Sequence, residues 1–406
     1  MTDKKSKTKK WKRPRHTFFR MLVNGLLRVY IKANYHFKPT PFKGDRKRQY
    51  LVLINHQTPL DQFFATISFR KTFYCVGSED LFSAGFASRF MEYAIAPIPI
   101  RKQTSDFSAV LSCARVAKEG NSIIIFPEGN RTYSGKTEYI NPSITRFVRL
   151  LKLPVVFYRI EGGYGVYPRW SDKTRKGKMS AGVSKIVEPE EYSKLSDEQL
   201  YELIKSELYV CDAVKDGLYY NKKNAEYLER LIYVCPDCGL STFSSKKDTL
   251  TCAKCGKTVK YLPDKTLSVQ DGKLDFTFVN DWYEYQKSFI NSLNPLEIAD
   301  KPLYNESARL FKVILFKNKR ILDKNSKISL YSNKIEFTEK EKVHSFSFDD
   351  VSSITVLGKN KLNVYYKDKV YQFKGDKSFN AIKYTHLFNR YKNYLKGDLN
   401  EQFLGL

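Results

Sequence analysis

Several things this chain lacks narrow its reading. It contains no run of about 18 uncharged apolar residues, so an ordinary transmembrane helix is not expected. A secretion signal is missing too, because Arg20 and Arg28 interrupt the first apolar stretch and no small-residue cleavage site follows it. Acid is scarce. Asp and Glu number 43 against 70 Lys and Arg, and the formal charge of +27 favours phosphate-rich partners: nucleic acid, anionic lipid or phosphorylated substrates. The seven cysteines do not form a disulfide framework, since four of them fall into two CxxC pairs of the kind that binds metal in a reducing compartment. Cys75, Cys113 and Cys211 have no partner spacing and read as small buried hydrophobes. No repeat at solenoid spacing is present. These exclusions leave a protein in the cytosol or, as a peripheral or monotopic protein, on the cytoplasmic face of a membrane.

At 406 residues the chain is long enough for two or three domains. Residues 1–40 read as a basic tail and an amphipathic surface helix. From Thr17 to about Tyr35, Arg20, Asn24, Arg28 and Lys32 fall every four positions among apolar residues, giving a wide apolar face with a narrow cationic stripe. An anionic membrane surface suits that pattern better than packing within the chain's own domain. Residues 41–215 alternate apolar runs (Tyr50–Ile54, Ile123–Phe126, Pro154–Ile160) with helical periods such as Ser105–Lys118 and a closing helix capped by Ser196 and Gln199. An α/β domain with a largely parallel central sheet is expected. Residues 216–265 read as a helix (about 221–232) plus a cysteine-rich module, 266–305 as a linker, and 306–400 as a β-domain.

Two short motifs carry chemistry. In Asn55-His56-Gln57-Thr58-Pro59-Leu60-Asp61 the five-residue separation does not stack His56 on Asp61 along a helix. The expectation is Thr58 as helix N-cap, Pro59 at the first helical position, Asp61 in the first turn, and His56 in the loop delivered by the preceding strand. An imidazole there can take the proton of an attacking hydroxyl, with a carboxylate on its other nitrogen fixing the tautomer. The bland alternative is that Asp61 only caps its own helix. In Phe126-Pro127-Glu128-Gly129-Asn130-Arg131, Gly129 permits a sharp turn and Arg131 offers a planar fork to a phosphate. Glu128 is expected to orient that arginine or to touch the acceptor; the alternative is a strand-exit turn with an ion pair.

Together these residues resemble the glycerolipid acyltransferase family, which includes 1-acylglycerol-3-phosphate acyltransferases. The first block, NHxxxxD, is met by Asn55, His56 and Asp61; the third, FPEGTR, is met except that Asn130 replaces threonine. Ile98-Pro99-Ile100-Arg101 and Leu153-Pro154-Val155-Val156 resemble the second and fourth blocks. The resemblance implies His56 as general base, Asp61 as its partner, and Arg101, Glu128, Gly129, Asn130 and Arg131 around the acceptor's phosphate. It further implies an acyl-CoA or acyl-acyl-carrier-protein donor and a lysophospholipid acceptor. The competing class is a lipid- or nucleic-acid-binding scaffold that keeps the fold without turnover.

Cys235-Pro236-Asp237-Cys238 and Cys252-Ala253-Lys254-Cys255, each followed by glycine, form a four-cysteine zinc-ribbon pattern with no open coordination position, hence a structural zinc. A nucleic-acid role for this basic module is disfavoured because few aromatics accompany its lysines. The last domain, seven short β-rich runs and a helix carrying Ala381, Tyr384, Phe388 and Tyr391 on one face, resembles a pleckstrin-homology-type β-domain.

Overall fold

The computed structural model describes residues 10–35, 37–100, 107–269, 272–314 and 317–397. Its first unit is built on six strands: β1 (Leu51–Ile54), β2 (Phe73–Ser78), β3 (Ile98–Ile100), β4 (Ser122–Ile125), β5 (Val155–Glu161) and β6 (Ser180–Val187). They lie in the order β3-β2-β4-β1-β5-β6, with β6 alone antiparallel to its neighbour. The helices are α1 (Pro14–Tyr35), α2 (Asp61–Phe69), α3 (Phe86–Ile95), α4 (Phe107–Lys118), α5 (Ile144–Leu151), the short α6 (Gly163–Val166) and α7 (Pro189–Tyr192), and α8 (Asp197–Leu208). Helices cover both sheet faces, so β1 can be apolar at every position. Val52 and Ile54 join one core with Tyr35, Phe64 and Tyr158, while Leu51 and Leu53 join the other with Val148, Phe157 and Ile204. The Ser196 and Gln199 capping box opens α8 as expected.

α1 differs from its expected orientation. Only His16, Arg20, Ile31 and Tyr35 are buried. Phe18, Met21, Leu22, Leu26 and Val29 form a stripe on the outer face, each more than half exposed. Arg20 belonged to the anticipated cationic stripe; instead it lies inside, donating to the Ile95 carbonyl at 3.1 Å. Phe19 packs edge-on against Phe90 and Tyr93 of α3, which fixes this rotation. Among the described residues no helix is long and apolar enough to cross a membrane.

The cysteine module pairs β7 (Val234–Cys235) with β8 (Gly239–Leu240) and adds a sheet of β9 (Phe243–Lys246), β10 (Thr249–Cys252), β11 (Thr258–Tyr261) and β12 (Leu267–Val269). The helix expected at 221–232 is replaced by turns and a single 3-10 turn at Leu228–Arg230. The backbone there bonds outward, Ala225 N–H to the Lys247 carbonyl and Tyr227 N–H to the Ser245 hydroxyl, instead of closing helical turns. Residues 266–305 are not a linker. They contain β12 and α9 (Val279–Ser292), whose Trp282, Tyr283, Gln286 and Ile290 are buried.

The final unit is a curled antiparallel sheet of β13 (Tyr304–Lys312), β14 (Arg320–Leu330), β15 (Lys334–Glu339), β16 (Lys342–Ser347), β17 (Val351–Leu357), β18 (Lys361–Tyr366) and β19 (Lys369–Lys374). Its order is β16-β15-β14-β13-β19-β18-β17, and α10 (Ile382–Leu395) packs on β17 and α9. This is the architecture anticipated for a pleckstrin-homology-like β-domain. One apolar core runs from Trp170 through Ile232, Trp282 and Leu310 to Tyr384, binding the cysteine module, α9 and the β-domain together.

Candidate active site

Strand order brings the two motifs together. β1 and β4 are parallel neighbours with Leu53 opposite Ile125, so the segments that follow them leave the sheet at the same edge. In open α/β sheets that carboxyl edge is where ligands bind. Asn55 clasps the end of β1 to β5, its side chain donating to and accepting from the Ile160 backbone at 2.8 Å each way. Asn55 is thus a structural clasp. His56 is held through its backbone on both sides: its N–H donates to Glu128 Oε1 at 2.7 Å, and its carbonyl accepts from Thr132 N–H at 2.8 Å.

The side chains of His56 and Asp61 meet, Nδ1 to Oδ2 at 2.8 Å. Asp61 has no solvent exposure, and its carboxylate also accepts from Gln57 N–H at 2.6 Å, Thr58 N–H at 2.9 Å and Thr58 Oγ1 at 2.6 Å. Thr58 is therefore not the N-cap that was expected. Its hydroxyl donates to the carboxylate and accepts from Leu60 N–H at 3.2 Å, but α2 begins only at Asp61, with Leu60 in the capping position. The imidazole stacks on Phe126, the first residue of the second motif, at 4.1 Å between centroids.

The second motif turns as its glycine predicts: Gly129 has φ +67° and its N–H donates to the Phe126 carbonyl at 2.9 Å. Glu128 does not orient Arg131. Its second oxygen accepts from Glu138 N–H at 2.7 Å, so both oxygens are spent stitching backbone. Burial pushes its pKa well above the usual carboxylate range, although those two amides oppose the shift. Asn130 is buried beside it. Arg131 carries a buried Nη1 with no hydrogen-bond partner. Burial, reinforced by the neighbouring Arg169 charge, brings its pKa down to about 10. A desolvated guanidinium with an idle donor is a receptor for an anion. Arg101 lies outside the described residues. Pro154 precedes β5, so the fourth block sits at the opposite sheet edge from His56 and contributes core residues.

The motifs gave no hint of Arg169. It is nearly fully buried, stacks over Tyr133 with its guanidinium carbon 3.9 Å from the ring centroid, and donates to the Arg131 carbonyl at 2.9 Å. The same guanidinium donates to the carbonyls of Val356 and Gly358 at 3.2 and 3.3 Å, in the β17–β18 hairpin. Beside it, Lys359 donates to Tyr167 Oη at 3.1 Å and pairs with Asp172 at 2.9 Å, and Arg230 pairs with Asp172 at 2.8 Å. Burial works against ionisation of Asp172, but Arg230 and Lys359 hold its pKa down to about 2. No local sequence pattern could have identified contacts this distant in the chain.

Cys235, Cys238, Cys252 and Cys255 converge, with all four Sγ atoms within 4.8 Å of one another and two pairs at 3.6 Å. A tetrahedral ion with metal–sulfur bonds of about 2.3 Å needs sulfurs about 3.8 Å apart, so the four thiols fit one metal ion.

Residues 24–160 match the family model described as Acyltransferase. Among curated proteins none matches the chain. Among solved structures, the 1-acyl-sn-glycerophosphate (LPA) acyltransferase PlsC from Thermotoga maritima is similar at 21% identity and a TM-score of 0.38, over 47% of this chain and 78% of that one.

Proposed function

We propose, starting from the acyltransferase domain that residues 24–160 carry, that the protein moves a fatty acyl group from a thioester to the hydroxyl of a phosphate-bearing lysolipid. The simplest such acceptor is 1-acylglycerol-3-phosphate. The observation that carries this reading is the His56–Asp61 contact at 2.8 Å on the strand next to the one that delivers Arg131. With Nδ1–H donated to Asp61, the basic lone pair of His56 sits on Nε2, which takes the acceptor hydroxyl's proton as its oxygen attacks the thioester carbonyl. Asp61 steadies the imidazolium. The tetrahedral intermediate then collapses, the carbon–sulfur bond breaks, and the thiolate leaves and recovers the proton. No acyl-enzyme is required. Arg131, with its unused buried Nη1, receives the acceptor's phosphate, and Gly129 lets the backbone approach it. Glu128 acts by holding His56, not by touching substrate.

The donor is acyl-CoA or acyl-acyl-carrier protein. The four-cysteine cluster holds a zinc ion whose role is structural, because four thiolates leave no open position. The outward apolar stripe of α1 supports a monotopic or peripheral seat on the cytoplasmic face of a membrane, where the acceptor resides. Purified protein offered both donor types against a panel of lysolipids tests the whole reading, with free thiol and product mass as readouts. Acylated product and thiol release with phosphate-bearing lysolipids are expected; silence across the panel leaves a non-catalytic lipid-binding scaffold.

A further inference from the structure

A second cationic site lies at the other edge of the sheet, where β2 and β4 begin. A cavity of about 240 Å³ opens there beneath α1, room for about eight waters at roughly 30 Å³ each. Lys12, Arg20, Arg70 and Lys71 line it, with Asn24 adding an amide and Met21 an apolar rim; no carboxylate lines it. Arg20 is about nine-tenths buried, and its Nε has no hydrogen-bond partner although Nη2 is held by Ile95. Lys71 is fixed by the carbonyls of Lys47 and Arg48. Neither Lys12 nor Arg70 forms an ion pair among the described residues. Two carboxylates stand nearby: Asp45, which acts on Lys71, and Glu119, which accepts from Trp11 N–H at 2.7 Å and pairs with Arg115 at 3.2 Å. His16, one turn before Arg20, adds no charge, its pKa brought down to about 4 first by burial and then by Arg15, Arg20 and Arg13.

Four like charges outnumber those two carboxylates, one of which is already paired, so they repel one another and an anion in the cavity relieves them. The chemistry that suits a guanidinium with an idle donor among lysines is a phosphate. Its source follows from Met21, which lines the cavity and also belongs to the exposed stripe of Phe18, Leu22, Leu26 and Val29. Chains lying along that stripe bring a headgroup to the cavity mouth. We infer that this cavity binds the phosphate of an anionic membrane phospholipid, a contact separate from the acceptor's phosphate at Arg131. The inference rests on the membrane-seated reading of α1.

Vesicle binding of the full chain tests it, using phosphatidylcholine alone and phosphatidylcholine mixed with phosphatidic acid. Lys12→Gln/Arg70→Gln is compared with Lys194→Gln/Lys222→Gln, which removes the same charge from exposed positions elsewhere. The cavity pair is expected to lose about tenfold more affinity for the mixed vesicles than the control pair, at roughly a few-fold per charge near a surface. Binding to the neutral vesicles is expected to stay level. Equal loss in both pairs overturns the site and leaves diffuse attraction. Displacement of the wild type by inorganic phosphate, but not by chloride of equal ionic strength, assigns the cavity to free phosphate and overturns the lipid. Failure of the wild type to bind either vesicle removes the membrane reading and the headgroup site with it. Turnover of a short-chain acceptor in solution is read in parallel; its absence breaks the acyltransferase reading while the vesicle comparison stands.

Discussion

The sheet unit and the C-terminal half are held together in opposite ways. In the first, β1 to β6 divide the interior into two cores, and His56 is held by Glu128 and Thr132, which follow the neighbouring β4, and by Asp61 at the start of α2. In the second, one core threads the cysteine module, α9 and the β-domain, and a single helix such as α9 could not hold an apolar interior alone. The two halves meet at Arg169. Its guanidinium joins the Arg131 carbonyl to the β17–β18 hairpin 187 residues further along. The His56 side of the site is therefore a local product of the sheet, while the Arg131 side leans on a domain made much later in the chain.

The sharpest break between the halves is expected from His56→Ala. Turnover falls by a factor of about 100 to 10,000 as the general base is lost, while melting and the β-domain's amide protection are unchanged; any residual activity near wild type removes the proposed base. Cys252→Ser comes next. Metal content drops, and because the core is shared, amide protection is lost in α9 and α10 as well as in the cysteine module. Protection retained in α10 would show the shared core to be two separate ones. Arg169→Leu probes the junction itself: the buried Val356 carbonyl and the less buried carbonyls of Arg131 and Gly358 lose a donor, with an expected cost of about 1 to 3 kcal/mol. KM for a phosphate-bearing acceptor should rise more than kcat falls, and Arg169→Lys should restore only part of it because a lysine cannot fork. Equal changes for phosphate-free acceptors would make Arg169 a stability residue only.

The smallest effect concerns pH. His16 in the folded chain holds fewer protons than an ordinary histidine between about 6.5 and about 4, so its stabilising contribution is present above that window and lost as pH falls through it. The melting temperature of His16→Gln should therefore slope less steeply with pH there than that of the wild type. Parallel slopes would show that acid sensitivity arises elsewhere, for example at His386, whose buried ring is also held neutral.

What was legible in the sequence was whatever a single strand or turn determines. The apolar runs at 51–54, 122–125 and 155–161 are strands because both their faces are covered, and Gly129 turns because only glycine takes φ +67° easily. The four cysteines converge because CxxC is a local device. What failed depended on how the chain closes around each residue, near or far. Thr58 reads as a cap because nothing in the sequence shows that the chain turns once more and α2 starts at Asp61, with Leu60 before it. That Glu128 accepts from the amides of His56 and Glu138 depends on strand pairing that its own motif does not reveal. Residues 279–292 look polar enough for a linker because their buried face is spread over Trp282, Tyr283, Gln286 and Ile290. Arg20 groups with the outer cationic stripe because four-residue spacing says nothing about which face a neighbouring helix covers.

The placement of β4 beside β1 has one more consequence. Everything between the motifs, from α2 to α4, is an excursion that builds the flank of the sheet and then returns. Its length does not enter the geometry of the site, only the point of return does. Residues could be added to or trimmed from that excursion, at an exposed turn, without moving His56 relative to Arg131. The site behaves as a clasp whose strap length is adjustable, so homologues should be aligned by strand ends and not by a fixed count of residues between the two motifs.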